Sequence, residues 1–229
     1  MVAQTHTRFR YVGLFALLLI LYACSDSPVN MVEETDVEEL ITLPVNIHFM
    51  ESSQSANLTS GLSEEDLTRL MEGVNEVWRP ANIQWEVQRV ETARAQNAAE
   101  FDRMVNGEIP FSATLIHSVI PLEGLSPTAW DVYLIRNLGG FVGGIYFARH
   151  AAVLQPETDP TGAFGFDGGL IRILSHELGH SLSLQHVPCV QPGNLMAPGC
   201  QVGNRTLMND GQILQARSVA RANRPYNGN

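Results

Sequence analysis

A chain of 229 residues with 45% hydrophobic content is long enough for one domain with a substantial core and too short for two large ones. Its 24 acidic residues outnumber 14 arginines, there is no lysine, and the net charge is -10. A surface of that sign repels nucleic acid and acidic lipid, which excludes nucleic acid as a partner.

The first 23 residues read as a targeting segment, in which Arg8 and Arg10 precede the apolar run YVGLFALLLILYA. That run is well short of the roughly 20 residues a membrane-spanning helix needs. Leu21-Tyr22-Ala23-Cys24 resembles the bacterial lipobox, which implies cleavage before Cys24 and acylation of its sulfur. The chain is then exported to the cell envelope, with the membrane as a partner through the lipid and Ser25 favouring the outer membrane. An ordinary cleaved signal, giving a secreted protein, or an uncleaved anchor are the alternatives, and both also export the remainder. Residues 24–40 are polar, with five carboxylates between Glu33 and Glu39, and read as an acidic flexible tether. A short inhibitory propeptide is the functional alternative. With Cys24 assigned to lipid, Cys189 and Cys200 remain as a matched pair, and a disulfide between them would close a short loop worth roughly 2 to 3 kcal/mol. Two free buried thiols are the alternative.

Order is expected from Ile41. In ITLPVNIHFM, Ile41, Leu43, Val45, Ile47 and Phe49 alternate with polar residues, as in a strand with one buried face, placing His48 on the other. Ser63 then caps a helix whose apolar residues Leu67, Leu70, Met71, Val74, Val77 and Trp78 recur at three- and four-residue steps until Pro80. Strand alternation returns at Ile83, Trp85 and Val87, followed by a polar stretch of helical character that includes His117, read as structural or surface. WDVYLIRN is apolar on both faces, like a central strand. LGGFVGGIYFARHAAVL mixes strand formers with glycines suited to bends and close backbone approach. QPETDPTGAFGFDGG reads as a loop, with Asp167 as N-cap of the helix that follows. These readings make residues 41–229 one folded domain. His6, His117 and His150 need no functional role.

That last helix carries HELGHSLSLQH, residues 176 to 186. Residues four apart share a helix face, so His176 and His180 can supply two corners of one zinc tetrahedron. Glu177 points to the side, where a carboxylate can take a proton from water instead of coordinating. After Glu177 the sequence has no glutamate and a single aspartate, Asp210. His186 reaches the metal only if the chain turns back after His180, and Pro188 ends any helix nearby.

At these residues the sequence resembles the metzincin clan of zinc metalloproteases, whose signature HExxHxxGxxH is followed by a methionine-containing turn. His176, Glu177, His180 and His186 match the signature, and NLMAP matches the turn, with Met196 as its methionine. Pro198 is as in the matrixin- and reprolysin-like branches. Ser183 departs from the pattern by standing where the clan has a glycine, a position of positive φ that costs a non-glycine residue about 1 to 2 kcal/mol.

The resemblance covers roughly residues 41 to 221. It implies an α/β (α+β) fold: a mixed twisted sheet, a long active-site helix carrying HExxH, then a small C-terminal subdomain with the Met-turn and a terminal helix. It further implies a zinc endopeptidase with one catalytic Zn2+ on His176, His180 and His186, water in the remaining position and Glu177 as general base. The substrate is then a protein or peptide paired with an edge strand, for which GGIYFAR is the candidate, and residues Ala197 to Leu207 wall the pocket beyond the cut bond. A calcium requirement is left open, with no specific motif to support it. The alternative from another class is a zinc-binding envelope protein that keeps the metzincin fold without catalysis; the uncoordinated Glu177 argues against a purely structural, four-ligand site.

Overall fold

In the computed structural model, the residues described are 39–121, 123, 125–139, 143–148, 152–157, 169–191, 193–198 and 206–222. They belong to one unit, Glu38–Asn229. The targeting segment, the tether up to residue 38, Cys24, Asp167, His6, His150 and Cys200 lie outside the described residues. Among those described, no helix is long and apolar enough to cross a membrane.

Five strands form one mixed sheet: β1 (Ile41–Glu51), β2 (Ile83–Arg94), β3 (Trp130–Ile135), β4 (Ile145–Phe147) and β5 (Ala152–Pro156), in the order β2-β1-β3-β5-β4. The first four of that order run parallel, and β4 pairs antiparallel with β5 at the edge. The helices are α1 (Glu64–Trp78), α2 (Ala98–Val105), α3 (Ala113–His117), α4 (Ile171–Ser181) and α5 (Asp210–Arg221). The α/β class and the order strand, helix, strand are as the sequence led one to expect.

The elements follow from local chemistry. Ser63 accepts from the Asp66 backbone and Asp66 reaches back to Ser63, a capping box that starts α1. Pro80 diverts the chain into a short turn of 3-10 helix, Arg79–Ala81, and Asn82 takes the left-handed conformation before β2. Asn209 and Gln212 form a second capping box at the start of α5. At α4 the cap position is filled by Leu170, with no side-chain cap bond. Gln155 and Pro156, read from sequence as the start of a loop, instead complete β5.

Both faces of the sheet are covered. On one, Leu43, Val45, Ile47, Trp130, Val132, Leu134 and Val153 pack against α1 and α4. Trp85 sits edge-on between Trp78 and Trp130. On the other, Met50, Tyr133, Ile135 and Leu154 pack with Phe101, Met104 and Ile116 of α2 and α3. Burying a large apolar side chain stabilises the fold by about 1.5 to 3 kcal/mol, and the two layers together supply the driving force.

This second layer corrects the sequence reading of β1. The strand lies inside the sheet between β2 and β3, and its middle is buried on both faces, with Asn46 and His48 as enclosed as Val45 and Ile47. His48 is 2% exposed: its Nδ1 is 2.9 Å from Glu91 Oε1, and its Nε2 is 2.8 Å from Asp131 Oδ1. Asp131 also accepts from Asn46 Nδ2 and the Ser126 backbone. His48 stacks on Tyr133, whose phenol burial holds above its ordinary pKa, with Asp131 and Glu91 adding to the effect. Alternation alone could not distinguish a solvated polar face from one paired internally.

Candidate metal centre

α4 lies across the sheet against α1, β4 and β5, and its last turns carry His176, Glu177 and His180. Beyond it the chain makes a Schellman turn, in which Ser183 N donates to His180 O and Leu184 N to Gly179 O, both at 3.0 Å. Ser183 holds the left-handed position with φ of +68°. Positive φ is what the place in the motif requires, and the serine bears a cost of about 1 to 2 kcal/mol there.

The turn brings His186 back to the helix. The three Nε2 atoms form a near-equilateral triangle: His176 to His180 3.1 Å, His180 to His186 3.0 Å and His176 to His186 3.2 Å. Among the described residues, no other group of three histidine, cysteine, aspartate or glutamate side chains converges in this way.

The opposite ring nitrogens explain the convergence. His176 Nδ1 donates to the Leu195 carbonyl at 2.7 Å, and His180 Nδ1 donates to the Leu184 carbonyl at 2.8 Å. A carbonyl can only accept, so in the neutral tautomer each Nε2 presents a lone pair toward the centre of the triangle. Lone pairs at this separation do not bond one another; they fit a cation. Zinc–nitrogen bonds of about 2.0 to 2.1 Å in a tetrahedron set nitrogens about 3.3 to 3.4 Å apart, close to the spacing found. Burial depresses the His176 imidazole to about 3, against its bond to Leu195, and also lowers His180. Both shifts favour the neutral ring that ligation requires.

Glu177 is 7% exposed and lies on the side of α4 facing β4. Burial raises its carboxyl to about 8, opposed by a hydrogen bond from the Tyr146 backbone N–H. A cation nearby acts in the opposite direction to burial. Gly144 makes this approach feasible, because a Cβ there would stand 2.8 Å from Glu177 Cγ. The glycines before IYF were read as places of close approach, and the partner proves to be the glutamate side chain. β4, within the GGIYFAR segment, is the edge strand beside it.

Met196 is fully buried beneath α4, its sulfur against Gly179. Its turn is tied in three ways: Met196 N donates to Asn194 Oδ1, Val187 N to Met196 O, and Leu195 N to Leu207 O. Asn194 and Gln212 of α5 exchange amide hydrogen bonds at 2.8 and 3.1 Å. Cys189 is disulfide-bonded. His117 packs edge-on against Phe147, a structural contact remote from the triangle in chain position.

Several residues that shape the site carried no recognisable signal. The carbonyl of Leu195, the space left by Gly179, and the amides of Gln212 and Gln215 act through tertiary contacts that one-dimensional spacing does not encode.

No protein-family model matches the chain, and no curated protein matches it. Among solved structures it is similar to archaemetzincin from Methanopyrus kandleri, at 16% identity and a TM-score of 0.50, over 79% of this chain and 96% of that one. It is also similar to metalloproteinase-II from Bacteroides fragilis, at 12% identity and a TM-score of 0.46, over 80% of this chain and 55% of that one. The chain thus spans about half the length of the latter. The first likeness is one of fold: this chain shares the architecture of that archaemetzincin.

Proposed function

We propose that this chain is a zinc-dependent endopeptidase of the metzincin type, with His176, His180 and His186 holding one zinc ion and Glu177 as general base. The observation that carries the reading is the triangle of Nε2 atoms 3.0 to 3.2 Å apart, two of them with their Nδ1 atoms committed to carbonyls. When bound, zinc supplies a Lewis acid that polarises a substrate carbonyl and acidifies water. Glu177, outside the triangle, accepts the proton of the attacking water and passes it to the departing amine. Its burial excludes bulk water from that transfer, and the Tyr146 N–H holds the carboxylate in place. An extended peptide would lie along β4, using main-chain hydrogen bonds of an edge strand.

The same reading places residues 41–229 as the catalytic domain, exported and attached to the bacterial envelope by lipid on Cys24, with Cys189 and Cys200 paired. LYAC and the polar tether after it support the anchor, and the disulfide at Cys189 supports the pairing.

Cleavage-site profiling on a proteome-derived peptide library, with the full chain in detergent beside a Glu177→Ala control, tests the proposal. Cuts present with the wild type and absent from the control are expected. A zinc-loaded wild type that leaves the library intact overturns it.

A further inference from the structure

His176 and His180 are fixed relative to one another by the helix that carries both, but His186 is exposed and follows the turn at Ser183. The geometry of that turn therefore sets whether the third nitrogen meets the other two. A glycine would take the left-handed conformation unaided; a serine needs something to hold it there.

Gln215 of α5, 32 residues further along the chain, meets this need. Its Nε2 donates to the Ser183 carbonyl at 2.8 Å and to the Ser183 hydroxyl at 3.0 Å. A primary amide has two hydrogens, so it can make both bonds at once, gripping main chain and side chain of the same residue. The helix it projects from is firmly seated. Ala216 and Ala220 lie in the main core, and the Arg217 guanidinium donates to the carbonyls of Ala81 and Glu39 at 2.7 and 3.0 Å. One turn earlier Gln212 braces Asn194, the residue before the Leu195 carbonyl that orients His176. α5 thus touches the supports of two histidines through residues three apart.

We propose that Gln215 is a positioning residue for the metal centre: it holds Ser183 in a left-handed turn and so sets where His186 stands. The proposal rests on reading the three histidines as zinc ligands. If the turn is populated only in part without Gln215, the apparent dissociation constant for zinc rises by the inverse of that fraction.

The test is zinc affinity, measured by competition with a chromophoric chelator, on the full chain in detergent. Gln215→Ala is expected to weaken zinc binding by about tenfold, corresponding to one competent turn in ten. Gln215→Glu, which keeps the shape but has no N–H to donate, should match it. In a Ser183→Gly background the same Gln215→Ala change should alter affinity by less than about twofold, because glycine adopts the turn unaided. Equal losses in both backgrounds, or no loss in either, would overturn the positioning role while leaving the ligand set intact. Wild-type protein that takes up no zinc would instead bring down the ligand reading, and this proposal with it.

Discussion

Gly179 and Met196 are packed so closely that no side chain fits between them: a Cβ on Gly179 would stand 2.7 Å from the methionine sulfur. The turn at Met196 fits beneath α4 only because the helix has no side chain there. Gly179→Ala is expected to destabilise the fold by about 1 to 3 kcal/mol in urea denaturation, the cost of overpacking, despite alanine's better helix propensity. Combining it with Met196→Ala should cost less than the sum of the two single changes, since the double variant removes the collision. Gly179→Ala that stabilised the protein would show that the contact relaxes freely.

A similar constraint operates at the carboxylate. A Cβ on Gly144 would meet Glu177 Cγ at 2.8 Å and Ile173 Cγ2 at 3.0 Å. Gly144→Ala should therefore displace the base while leaving the histidines in place. The expected result is a fall in peptide turnover of about tenfold to a hundredfold, the scale of a misplaced catalytic group, with zinc content unchanged. Loss of zinc together with activity would mean that the strain reaches the ligands.

On the far side of the sheet, Asp131 is fully buried and accepts hydrogen bonds from Asn46, His48 and the Ser126 backbone. Asp131→Ala would strand all three, and a loss of roughly 3 kcal/mol is expected, the scale for unpairing buried polar groups. Chemical denaturation measures this. Zinc stoichiometry should stay the same, because the network and the triangle occupy opposite faces of the sheet.

The divide between what could be read in advance and what could not follows the range of the interactions. α1 was legible because Ser63, Pro80 and the apolar steps between them are local signals, and β3 because a strand buried on both faces leaves no polar alternation. The pairing of His176 and His180 was legible because their spacing is a helical repeat, whereas His186 joined them only through the resemblance of the whole motif, since its approach depends on a turn. His48 lies on the face expected of it, but its burial there was not legible, since the carboxylates that pair with it lie on two other strands. Gln215 was invisible for the same reason: its partner is remote in sequence, and nothing in either residue alone announces the contact.

At the chain's cysteines, mass spectrometry of a non-reduced digest should find Cys189 linked to Cys200. Removing that link by Cys200→Ser should destabilise the fold by about 2 to 3 kcal/mol. Cys24→Ser should abolish an acyl mass on the N-terminal peptide and release the protein from the membrane fraction. A wild-type chain that begins elsewhere than Cys24 would contradict the lipid assignment.

The central claim is that the histidines bind the metal and the glutamate moves the proton, and measuring zinc content and peptide turnover on the same preparations of Glu177→Gln and His180→Ala separates these two roles. Glu177→Gln should retain about one zinc per chain and cut peptides at least a hundredfold more slowly, as loss of a general base entails. His180→Ala should lose most of the zinc and the activity with it, because two nitrogens hold the ion poorly. A Glu177→Gln protein that is stripped of zinc, or that cuts at the wild-type rate, would contradict the account.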